Sequence, residues 1–116
     1  MTKVTYRPDE YEMRFEGHAG FSVFGRDIVC AAVSILMWTL TERALENEAY
    51  NAAYRVTDAD RQDRPTGYAI TCDPTPEAAA MCQEMFDTIA VGLTMLAKRY
   101  EDYVKFEIIN GRNNDD

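Results

Sequence analysis

Positive charge is scarce in this chain: 12 Lys and Arg stand against 20 Asp and Glu in 116 residues, a formal net charge of −8. A phosphate backbone is bound by clustered Lys and Arg, so nucleic acid is not an expected partner. The acidic balance suits solubility and would attract a basic partner at long range. Cysteine is also thin. Cys30, Cys72 and Cys82 are an odd number without metal-ligand spacing. That argues against a disulfide framework or a metal site and for reduced thiols in a cytoplasmic protein. No cofactor is expected. No apolar run approaches the roughly 20 residues that span a bilayer. Residues 1–7 lack the apolar core of a signal peptide. Neither a membrane nor export is therefore expected.

What remains is an ordinary globular composition, 47% hydrophobic and 28% charged, long enough to bury a core unaided. We read one domain over residues 1–109 and a polar C-terminal tail over 110–116. Val4 and Tyr6 alternate with polar neighbours, Pro8-Asp9-Glu10 supplies turn chemistry, and Tyr11, Met13 and Phe15 alternate again. Residues 3–18 thus read as a β-hairpin. From Asp27 the period becomes helical, with Val29, Ala32, Val33, Leu36 and Leu40 on one apolar arc and Glu42, Arg43 and Glu46 at the solvated end. Ala52, Tyr54 and Val56 form a third strand, and Tyr68, Ile70 and Cys72 a fourth. Thr75-Pro76 opens a second helix, with threonine as cap and proline in the first turn. Its stripe is Cys82, Met85, Phe86, Ile89, Leu93, Leu96 and Tyr100. Val104, Phe106 and Ile108 make a fifth strand. The order ββαββαβ predicts a two-layer α+β sandwich with both helices on one face of a sheet. Strand order does not follow from the pattern.

The chemistry concentrates in residues 17–34. His18, the only histidine, ends the second strand, and Cys30 falls in the first turn of the first helix. A thiol and an imidazole are the minimum parts of a thiolate nucleophile with an acid/base partner. With Asp27 as N-cap, Cys30 is the third helical residue, where unpaired amides and the helix dipole favour a thiolate. Cys30, Ser34, Met37 and Thr41 form their own stripe beside the apolar arc, whereas Cys82 lies inside its helix's apolar stripe, as structural cysteines do. His18 has the parity of the polar face of its strand unless Gly17 marks a bulge or strand end that re-aims it. Gly20 and Gly25 bound an apolar loop holding Phe21 and Phe24. That loop either closes over a peptide side chain or plugs the core. Asp27 either only caps the helix or also orients His18. Ser34 either hydrogen-bonds near the thiol or back-bonds to its own helix.

The run Gly17-His18-Ala19, the loop, and Gly25-x-Asp27-Ile28-Val29-Cys30-Ala31-Ala32-Val33-Ser34 closely resembles the signature of the ribosomal-processing cysteine protease (Prp) family. Gly92-Leu93, Ala97-Lys98-Arg99-Tyr100 and Tyr103-Val104 extend the likeness over the whole domain. The resemblance implies a cytoplasmic bacterial endopeptidase of α+β fold, usually a homodimer. Such enzymes remove the N-terminal extension of large-subunit ribosomal protein twenty-seven. It further implies Cys30 as nucleophile, His18 as general base and acid, and supporting roles for Gly17, Asp27 and Ser34. The amides at the helix start, that of Cys30 among them, are the expected oxyanion hole. Two other classes stay open: a redox or acyl-carrying thiol protein, which uses the same site differently, and a non-catalytic dimeric binding module, in which His18 and Cys30 are incidental.

Overall fold

The computed structural model describes residues 1–17, 27–61, 63 and 65–111. Its elements are β1 (Thr2–Arg7), β2 (Glu12–Glu16), α1 (Ile28–Leu45), β3 (Ala53–Ala59), β4 (Pro65–Thr71), α2 (Ala79–Arg99) and β5 (Val104–Ile108). The expected ββαββαβ order and α+β class hold. The five strands form one sheet in the spatial order β3-β4-β2-β1-β5. Only the β1–β5 pair is parallel; β1–β2, β2–β4 and β3–β4 are antiparallel.

The register explains why a single face of this sheet can be covered. It aligns Val56, Tyr68, Phe15, Val4 and Phe106 in one row across all five strands. Tyr54, Ile70, Met13, Tyr6 and Ile108 form a second row beside it. Because side chains alternate along a strand, both rows face the same way. Val4, Tyr6, Met13, Phe15 and Ile70 are buried at their centre. The opposite face is polar. There Glu12 sits among Arg55 at 3.5 Å, Arg14 at 3.8 Å and Arg7 at 3.9 Å.

Each helix takes one half of the apolar face. Phe86 of α2 stacks on Tyr6 of β1 with ring centroids 5.7 Å apart, while Trp38 of α1 reaches Tyr54 and Tyr68 on β3 and β4. The helices meet at Gly92, where an added Cβ would lie 3.0 Å from a Leu36 methyl. The Tyr6 hydroxyl donates to Asp87 Oδ1 of α2 at 2.7 Å. Burial, then that carboxylate, raises the Tyr6 phenol above its ordinary value.

Three details depart from the sequence reading. Thr75 does not cap the second helix with its side chain; the turn Pro76–Ala78 is a 3-10 turn, with the Ala78 amide donating to the Thr75 carbonyl at 3.0 Å. Proline supplies the fixed φ for that start, so no side-chain acceptor is required. Met37 and Thr41 do not share the intermediate exposure of Cys30 and Ser34 but are 4% and 1% exposed. The Thr41 hydroxyl is satisfied by donating to the Met37 carbonyl. Finally, α1 is more apolar than expected, and by length and composition alone it could cross a membrane. Here it lies on the sheet through Val29, Val33, Met37, Leu40 and Ala44, and its last turns carry Glu42 and Arg43.

Cys72 and Cys82 meet in the core. Burial, then the neighbouring thiol, pushes Cys72 up to about 12; burial raises Cys82 too. A raised native pKa gives stability that is fully present below the unfolded value and lost as pH climbs toward the native one. The melting temperature should therefore fall as pH rises above about 8.5, where unfolded thiols ionise. The Cys72→Ala/Cys82→Ala double variant will be less stable at neutral pH because of its cavities. Its thermal melts will nevertheless show a shallower alkaline slope.

Candidate active site

The start of α1 is built around one carboxylate. Asp27, extended at φ −80° and ψ 100°, accepts from the Cys30 amide through Oδ1 at 2.8 Å. Its own carbonyl takes the Ala31 amide at 3.0 Å. The predicted cap is therefore present, and it fixes the backbone of the cysteine. The same bond corrects one expectation. The Cys30 amide is committed to Asp27, so the first-turn amides without a helical acceptor or this cap are those of Ile28 and Val29.

Cys30 is half-buried and packs against the core edge, so its thiol is neither inert core nor loose surface. Cys72 and Cys82, by contrast, are 3% and 0% exposed. Ser34 lies one turn beyond Cys30 and is also half-buried.

Gly17 ends β2 at φ +82°, a conformation that glycine adopts without strain. Its amide donates to the Thr66 carbonyl at 2.7 Å, and an added Cβ would lie 2.5 Å from the Met1 carbonyl oxygen. Two residues further along β4, Tyr68 pairs with Phe15. Burial raises the Tyr68 phenol, and the charge of a Cys30 thiolate raises it further. The thiol is thus close enough for its charge to be felt at Tyr68. Gly17 and Cys30 consequently lie toward the same end of the sheet. His18 and the loop residues Gly20, Phe21, Phe24 and Gly25 fall outside the described residues. Among the described residues no cluster of three His, Cys, Asp or Glu could hold a metal ion.

A family model described as cysteine protease Prp matches residues 1–105. The chain belongs to the Prp family of cysteine proteases. A comparison with curated protein sequences finds no match. Solved structures give the same fold. The ribosomal processing protease Prp of S. aureus, with a covalently linked product peptide, superposes with a TM-score of 0.75 at 18% identity, covering 94% of this chain and all of that one. Its complex with a substrate peptide gives 0.65 at 16% identity, covering 93% of this chain and 97% of that one. A Streptococcus mutans protein, SMU.848, gives 0.69 at 24% identity, covering 95% and 93% respectively.

The sequence reading missed an aromatic cluster between α1 and the sheet, of which Tyr68 is the member that feels the thiol. Trp38 lies 5.3 Å from Tyr54 and 6.4 Å from Tyr68 between ring centroids, and the two tyrosines stack at 5.7 Å. The signal was the spacing Cys30, Ser34, Trp38, a ridge of every fourth residue on the helix. Following every seventh residue instead led to Met37, which is core.

Two substitutions probe this frame. Asp27→Ala should cost about 1 kcal/mol of stability by loss of the cap, and Asp27→Asn much less, read by urea unfolding. Gly17→Ala should cost about 2 kcal/mol in the same measurement, because the conformation is strained for any side chain and Met1 must move.

Proposed function

We propose that this chain is an endopeptidase that removes the N-terminal extension of large-subunit ribosomal protein twenty-seven, with Cys30 as nucleophile and His18 as base and acid. The observation that carries the reading is the half-buried Cys30 at the third position of α1, its amide held by Asp27, in a chain of the Prp family. Helix starts favour a thiolate through the dipole and the unpaired amides.

His18 accepts the proton of the Cys30 thiol, and the sulfur attacks the scissile carbonyl carbon. Negative charge then gathers on the carbonyl oxygen. The amides of Ile28 and Val29 are the donors the helix start offers it, since that of Cys30 is held by Asp27. The tetrahedral intermediate collapses by breaking the carbon–nitrogen bond. His18 passes its proton to the departing amine, leaving a thioester on Cys30. Water, deprotonated by His18, attacks the thioester, and the acid leaves as the thiol is restored. Asp27 and Gly17 act through the backbone they fix, and Ser34 lines the same side of α1 as the thiol.

A ribosomal substrate puts the enzyme in the cytoplasm, where thiols stay reduced; all three cysteines are free here. A basic substrate also suits a chain of net charge −8. Homodimerisation belongs to the same proposal. It is supported by Ile28 and Ile35 of α1 and Val91 and Met95 of α2, each more than half exposed, on surfaces the sheet does not cover. Sedimentation should give twice the chain mass, and Ile35→Glu/Val91→Glu should shift it toward the monomer.

The function is tested with the host's own protein twenty-seven, read by intact mass. Wild type should release one defined N-terminal peptide. Cys30→Ser and His18→Ala should release none while keeping the native circular-dichroism spectrum. Cleavage by either variant at the wild-type rate removes the mechanism. An intact extension after incubation with wild type removes the substrate.

A further inference from the structure

The end of α1 and the start of α2 border a cavity of about 310 Å³. The helices run antiparallel, since Leu36 meets Gly92 while Leu40 and Met85 line this space further along. Leu40, Ile89 and Tyr50 are buried in its wall, and Met81 stands 56% exposed at its lip. Binding pockets have such a volume and such a lining, largely apolar with a few polar groups. Tyr50 is 1% exposed, yet its hydroxyl makes no hydrogen bond among the described residues. Buried hydroxyls are rarely left without a partner, and Tyr50 borders a space from which a partner can come. The cavity lies away from the thiol. From Cys30 to Arg43, which lines it, α1 rises about 20 Å.

The charge around the opening is one-sided. Glu84 lines it, and Glu42, Glu48 and Glu77 lie within four residues of others that do. All four are exposed, and none forms an ion pair among the described residues. The one cation in the lining, Arg43, is held by Glu46 at 3.0 Å. We propose that this acid-rimmed cavity is an exosite of the protease, gripping the body of its basic protein substrate through an apolar side chain flanked by Lys or Arg. The proposal rests on the protease reading above and deepens it. A second copy of this chain, itself at net charge −8, is repelled by such a rim. None of the four apolar residues assigned to dimerisation lines the cavity. Physiological salt screens exposed charges beyond about 8 Å, so the rim acids outweigh the arginines on the far face of the sheet.

The lining suits an anchor of this kind. Unbranched methionine side chains adapt to aliphatic and aromatic shapes alike, and Met81 and Met85 supply two of them. Glu84 then meets a cation beside the anchor at the lip. An extended peptide advances about 3.3 Å per residue, so a chain cleaved at the thiol reaches the cavity only about six residues from the scissile bond. A peptide cut shorter than that keeps the bond and loses the grip. The exosite thus separates recognition of the substrate's body from recognition of the cleaved bond. It also leaves the product, which keeps that body, able to bind.

The test compares the host's protein twenty-seven with a synthetic peptide carrying roughly four residues on each side of its cleaved bond. Glu84→Lys and Met81→Ala are exposed changes on α2, remote from Cys30. For the protein, kcat/KM should fall about tenfold in Glu84→Lys and about threefold in Met81→Ala. For the peptide it should stay within about twofold of wild type. An equal loss on both substrates overturns the exosite, because it reports damage to the thiol site or the fold. Unchanged cleavage of the protein by both variants overturns it too. Binding is read separately, by fluorescence anisotropy of the labelled mature protein, without its extension, against the Cys30→Ser chain. The mature protein should bind, more weakly as salt rises, and about tenfold more weakly when Glu84→Lys is added. Glu101→Lys, the same change of charge beyond the far end of α2, should leave binding within about twofold. No binding, or equal weakening by the two lysine variants, overturns the exosite. Failure of wild type to cleave either substrate removes the protease reading, and the binding measurement still decides the surface.

Discussion

The alignment of helix-facing side chains across the five strands is the constraint from which the rest of the molecule follows. Two rows of residues run from Val56 to Phe106 and from Tyr54 to Ile108. A slip of one residue in any strand would turn its share of both rows to the polar face. With the register fixed, each helix finds an apolar bed: α2 over Tyr6, α1 beside Tyr68. The helix starts, and with them the thiol, are placed by that bed. The outer face then needs only polar residues, and the three arginines around Glu12 supply them.

Within this frame the cysteine is positioned by the same group that starts its helix. The Asp27 carboxylate satisfies an amide that would otherwise have no helical partner, and that amide belongs to Cys30, the nucleophile we propose. Helix initiation and thiol placement are thus one interaction. Gly17 makes the matching contribution from the sheet side, since only a residue without Cβ passes under the Met1 carbonyl at that φ.

Local patterns in the chain were read correctly wherever one period ruled. The alternation of Val4-Tyr6 and Met13-Phe15, the Asp27 cap and the α2 stripe through Cys82, Phe86 and Leu93 all appear as expected. Strand order was not legible, because alternation says which way a side chain points and nothing about which strand lies beside it. The face of α1 was harder for a related reason. That helix is apolar nearly all round, so its sequence leaves the buried arc ambiguous, and Met37 and Thr41 were assigned to the wrong side. The thiol motif was visible as a run of residues. The aromatic cluster between α1 and the sheet was not, because Trp38, Tyr54 and Tyr68 come from three elements joined only by tertiary packing.

The parallel pairing of β1 with β5 joins the first strand to the last of the five. A ribosome makes these strands in order, so throughout synthesis of residues 8–103 β1 lacks one neighbour and the Val4–Phe106 row stays open at its end. Such long-range closure is slow, and it delays formation of the cooperative core. A nascent chain of this protein therefore carries its cysteine for most of its synthesis without the finished sheet beneath it. Maturation of the thiol site is timed by translation of β5 rather than by translation of the motif itself.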